Sequence, residues 1–109
     1  MKQYMVGHQG QDLSGLLDEH DAIDRMETMM KAHGRHFQLR RKGTEWGKVR
    51  TLDSAFTRLE ALAGLPIGET VQVLCTKDKL VLVMRIVDAP TPSVNTAGTA
   101  GIDQIWPAI

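Results

Sequence analysis

Residues 69–87, ETVQVLCTKDKLVLVMRIV, carry the segment that decides the fold. Two runs rich in valine and leucine flank the polar tetrad Thr76-Lys77-Asp78-Lys79, the pattern of two strands joined by a turn. Val71–Leu74 is predicted to pair antiparallel with Leu80–Val83. The second run, Leu80 to Val87, is apolar on both alternating faces except at Arg85. Such a run is expected at the centre of a sheet or beneath another subunit.

Upstream of the hairpin, Ala55, Phe56, Leu59, Leu62 and Ala63 recur at helical spacing. Asp53 or Ser54 is expected to cap this helix, Gly64 and Pro66 to stop it, and Leu65 to pack back as in a Schellman cap. Earlier still, HFQLRR alternates, with Phe37 and Leu39 on one side and His36, Gln38 and Arg40 on the other. That is a half-buried strand. Lys42-Gly43 then reads as a turn, and TEWGKVRTL as a returning strand with Trp46 and Val49. Between Ser14 and His33, Leu16, Leu17, Ile23, Met26 and Met30 form one apolar stripe, with Met29 off it. Asp21 is a candidate cap for a second segment, so one bent helix or two short ones fit, ending at Gly34. Residues 2–6, KQYMV, fit a short strand.

After Asp88 the composition shifts. APTPSVNTAGTAG has two prolines, several small residues and no charge, so an extended linker is expected. The division is an α+β domain over 1–88, a linker over 89–101 and an apolar anchor over 102–109. The domain is small and single, with two helical segments, a basic strand or hairpin and a C-terminal antiparallel hairpin. An extended arm follows. In that arm Ile102, Ile105, Trp106 and Ile109 fall at i, i+3, i+4 and i+7, yet Pro107 disfavours helix before it. Each large apolar side chain, once fully buried, contributes about 1.5–3 kcal/mol, so a few anchors offset the ordering of a short peptide. Two destinations are open: the domain's own core, or a neighbouring subunit or other protein.

The chain balances 13 Lys and Arg against 13 Asp and Glu, so bulk charge points to no partner. Locally the charges separate. Residues 11–30 hold six acids against Arg25 alone, and residues 31–50 hold seven bases against Glu45 alone. Such blocks neutralise each other by packing or present two partner surfaces. Arg40, Arg41, Lys42, Lys48 and Arg50 flank a turn that carries Trp46, a combination suited to phosphate backbones. The competing reading is a solvated hairpin edge whose charges discourage aggregation.

Catalytic and cofactor chemistry find no pattern. His20, His33 and His36 match no metal-ligand spacing. The carboxylates lie on what reads as a solvated helix face. Ser14, Ser54 and Ser93 lack a nucleophile elbow, and the glycines form no phosphate loop. Cys75, the single cysteine, reads as a buried structural thiol. No catalytic residue, metal, cofactor or small-molecule substrate is expected. MKQYMVGHQG lacks the apolar core of a signal peptide, and no run of about 18 apolar residues spans a membrane. A cytoplasmic location is expected, or a virion-associated one for a phage protein.

Residues 59–83, LEALAGLPIGETVQVLCTKDKLVLV, resemble the C-terminal half of AbrB/MazE-type swapped-hairpin domains. Ala63-Gly64-Leu65, Gly68-Glu69, Val71, Val73 and Leu80-Val81-Leu82 follow the family's order of helix end, Gly-acidic turn and hairpin. The resemblance implies an intertwined homodimer that binds DNA as an antitoxin or transition regulator. Lys48 and Arg50 would then correspond to the DNA-facing basic residues. Val49 to Asp53 lacks the family's Ile-Pro, and the helix from Ser54 to Ala63 is longer than the family's.

Two functions are therefore carried forward. The first is a non-enzymatic interaction or assembly protein, of a phage or other mobile element, which joins partner subunits or its own copies through the arm and the charge-separated surface. The alternative is a homodimeric DNA-binding regulator of the swapped-hairpin kind.

Overall fold

The computed structural model describes residues 1–90, which form a small α+β domain. The elements in chain order are β1 (Lys2–His8), α1 (Glu19–Ala32), β2 (His36–Arg41), β3 (Arg50–Thr51), α2 (Leu52–Leu62), β4 (Thr70–Cys75) and β5 (Leu80–Asp88). The strands make one sheet of order β1-β5-β4-β2-β3, antiparallel throughout. The predicted hairpin forms as β4 and β5, in the register Val71↔Met84 to Cys75↔Leu80. β5 lies inside the sheet, between β4 and β1.

Alternation along each strand sorts the side chains. Tyr4, Val6, Phe37, Leu39, Val71, Val73, Cys75, Leu82, Met84 and Ile86 point to one side and are buried. They pack against Ala22, Ile23, Met26 and Met30 of α1 and Ala55, Leu59 and Leu62 of α2. Met29, off the stripe, still packs partly on this core. The Tyr4 hydroxyl, 2.8 Å from the Ala63 carbonyl and 3.2 Å from Glu19, ties β1 to both helices.

Several boundaries differ from the sequence expectation. Residues 13–17 are not helix: Leu17 and Tyr4 exchange backbone hydrogen bonds of 2.8 Å, and Ser14 N–H donates to Val6 O. Bonding to a strand edge satisfies this backbone without helix, and Leu16 is left 48% exposed. Asp18, not Asp21, caps α1, its carboxylate accepting the Asp21 N–H at 2.8 Å. α2 begins at Leu52, because β3 runs directly into it; Asp53 lies inside the first turn and Ser54 accepts a hydrogen bond from Arg50. Gly64 ends α2 without a left-handed residue, so the turn is not a Schellman cap. Only Arg50–Thr51 of the expected returning strand pairs, with His36 and Phe37.

The remainder of that segment follows the β2 edge as a loop. Gly47 N–H donates to Leu39 O, and the Gln38 amide donates to Gly47 O. A Cβ at Gly47 would stand 3.0 Å from that carbonyl, so a larger residue would have to push this contact apart by a few tenths of an ångström. Both sheet edges are thus covered, β1 by residues 14–17 and β2 by β3 and Gly47. Covered edges block pairing with another strand.

Among the described residues no helix is long and apolar enough to cross a membrane. Most of the expected linker, and the anchors Ile102, Ile105, Trp106 and Ile109, lie outside the described residues.

The packing sets a stability ranking. Phe37→Ala should lower unfolding free energy by about 3–5 kcal/mol, and Asp18→Ala by about 1 kcal/mol. Leu16→Ser should change it by less than about 0.5 kcal/mol. Urea denaturation followed by circular dichroism checks this order.

Candidate functional site

The helices cover one face of the sheet, and the opposite face carries Arg40 and Arg85, with Lys42 at its margin. Strand pairing sets two rows across it. One row runs Arg40, Gln72, Val83, Gly7 through direct cross-strand partners. The next runs Thr70, Arg85, Met5, and Lys42 joins it through its N–H to the Thr70 carbonyl at 2.8 Å. Lys42, Thr70, Gln72, Val83, Arg85 and Gln9 line a shallow cavity of about 310 Å³ there.

The polar groups at this cavity are ordered by one another. Arg40 Nε donates to Gln72 Oε1 at 2.6 Å, and Gln72 Nε2 donates to Gln9 Oε1 at 3.2 Å. Gln72 is only 6% exposed, so its amide depends on these partners for satisfaction. Arg40 also donates to the Thr44 carbonyl at 3.1 Å and lies 4.2 Å over the Trp46 ring. A guanidinium held by stacking and by two acceptors loses little further freedom on meeting an anion.

The six basic-run residues therefore divide. Arg40, Lys42 and Trp46 meet on or beside the open face. Arg41 alternates to the helix side, where its Nε lies 3.0 Å from Glu69. Arg50 donates to Ser54 at 3.0 Å at the start of α2, and Lys48 is solvent-exposed in the loop. Arg85, Gln72, Gln9 and Thr70 join the site from distant parts of the sequence. Arg85 had a legible signal: a lone charge in an otherwise apolar central strand needs an uncovered face. Gln72 had the same signal within β4, whereas nothing local marked Gln9 or Thr70.

A second cluster forms where β1, α1 and the β4–β5 turn meet. His33 Nδ1 lies 2.9 Å from Asp78 Oδ2, and its ring meets His8 edge-on at 5.6 Å between centroids. His8 Nε2 is buried without a hydrogen-bond partner among the described residues. His20 and His36 are exposed elsewhere. Among the described residues no group of three or more His, Cys, Asp or Glu side chains is arranged to hold a metal ion. Comparison of the chain with family models, curated proteins and solved structures gives no match.

Cys75 is fully buried, and burial, reinforced by the charge of Asp78, pushes its thiol from 9.0 up to about 11. Burial, with the Glu19 carboxylate, pushes the Tyr4 hydroxyl from 10.0 up to about 12. Both groups hold their protons in the fold beyond the pH at which an unfolded chain releases them. Their contribution is complete below about pH 9 and is lost as pH rises toward 11 for Cys75 and 12 for Tyr4. Cys75→Ala should flatten the first part of the alkaline fall in melting temperature and Tyr4→Phe the second. At neutral pH the native thiol should resist an alkylating reagent that labels it at once in urea.

Proposed function

We propose that this chain is a non-enzymatic interaction and assembly protein that meets partners through two faces of opposite charge. One observation supports the reading above others. The helical layer, residues 18–32 and 52–62, carries seven carboxylates against three cations, while the strand residues of the open face include Arg40 and Arg85 and no carboxylate. Lys42 adds to the basic side. The acidic block stays on the helix side with Arg41 and Arg50 beside it, while Arg40 and Lys42 of the basic block stand on the other side with Arg85. A small domain with opposed, separately accessible charges is suited to joining two different surfaces, since complementary potentials steer and orient encounter.

The apolar residues Ile102, Ile105, Trp106 and Ile109 serve in this reading as a further anchor, on the sequence argument. A cytoplasmic or virion-associated setting accords with the lone, unpaired cysteine. The homodimeric DNA-binding alternative rests on the sequence resemblance; in the fold β4 pairs with β5 and with β2 of its own chain.

Removal of residues 102–109 should leave the melting temperature unchanged, because the core from Tyr4 to Ala89 lies outside them. Chemical cross-linking and light scattering of the full chain should show concentration-dependent association that this truncation abolishes. Trp106→Ala alone should remove much of it, as buried tryptophans dominate interface energetics. A full-length protein that stays monomeric at every concentration, or a truncation that only lowers stability, would refute the anchor.

A further inference from the structure

We propose that the open sheet face binds the phosphodiester backbone of single-stranded nucleic acid, with Lys42, Thr70 and Arg85 as the central phosphate subsite. The inference rests on the reading of this face as a partner surface and names the partner's chemistry.

Lys42 and Arg85 are two strands apart in one row, so their backbones stand roughly 10 Å from each other with Thr70 between them. Neither makes an ion pair among the described residues, whereas Arg41 on the opposite side is matched by Glu69. Between them the cavity has room for roughly ten water molecules. The Thr70 hydroxyl stands beside it as a neutral hydrogen-bonding group, while the Gln72 amide is engaged by Arg40 and Gln9. Arg40, already oriented by Trp46, Gln72 and Thr44, is the third cation, one row away. Three cations spread over the β2 and β5 sides of β4 match a chain of phosphates rather than a single anion.

The occupant follows from what surrounds the subsite. Duplex readers insert a helix or a two-stranded ribbon into a groove. Here both helices lie on the other side of the sheet in an acidic layer, and both edges are covered, so no element is free to enter a groove. A sheet face with half-buried Leu74 and Val81 side by side, and an indole at its margin, accepts unstacked bases of any sequence. The phosphates then run over the cations while bases lie on these side chains.

The test is fluorescence anisotropy with the full chain and a labelled oligothymidylate of about 16 nucleotides, the upper site size of comparable small folds. Binding is expected at low salt, and log K should fall with log salt by about 0.7 per phosphate engaged. Lys42→Gln with Arg85→Gln should weaken binding at least tenfold and reduce that slope by about 1.4. Arg41→Gln should stay within twofold, and circular dichroism melts confirm that each variant folds. Absence of binding at low salt, or equal losses in the Arg41 and the Lys42/Arg85 variants, overturns the proposal. So does polyglutamate competing as well as the oligonucleotide, which would make the face a carboxylate site. Self-association that is retained without nucleic-acid binding overturns this inference alone and leaves the assembly reading standing.

Discussion

Two helices packed on one side of a five-stranded sheet is the constraint from which the other features follow. Five strands at a spacing of about 4.8 Å make a sheet about 24 Å wide. Two helices, each about 10 Å across, cover that width once. No third layer exists among residues 1–90, so apolar side chains concentrate beneath α1 and α2 and polar ones emerge opposite. Buried Tyr4, at the junction of β1, α1 and α2, fixes how the layers sit by sharing its hydroxyl with Ala63 and Glu19.

One-sided cover also sorts the charges. A helix on the surface of a sheet turns its polar face outward, and here that face is dominated by Asp18, Glu19, Asp21, Asp24 and Glu60. Arg40 of β2 and Arg85 of β5 have no helix above them and face the opposite way. Part of the charge separation along the sequence thereby becomes charge separation across the domain, about a sheet whose edges are covered. Within the open face, the Arg40–Gln72–Gln9 series links three distant segments. It satisfies a buried amide and orients a guanidinium with the same bonds, so local order there costs little additional stability. Gly7 permits close cover at the side: a Cβ there would stand 3.1 Å from Leu13, which packs over the end of this row.

Strong period-two and period-three-to-four patterns were legible because they reflect burial on one face of a regular element. β4, β5, β2 and the body of both helices came from them, as did the buried Met26, Met30 and Cys75. Errors fell where the backbone found a partner that no local pattern encodes. Residues 14–17 bond to β1 instead of continuing α1, and residues 44–49 follow β2 as a loop held at Gly47. Leu16 looked like stripe and proved exposed for the same reason.

The sequence by itself determined the hairpin, β2, the body of both helices, the one-face core and the two charge blocks, since each depends on residue type at short spacing. Tertiary structure alone decided which cations act together. Arg40 and Arg41 are adjacent in sequence, yet strand alternation sends them to opposite faces, one toward Gln72 and one toward Glu69. Lys42 and Arg85 are far apart in sequence, yet antiparallel registry sets them on one row. Hydrogen-bond registry between strands is a long-range property, and that is why the composition of the open face could be read only from the fold.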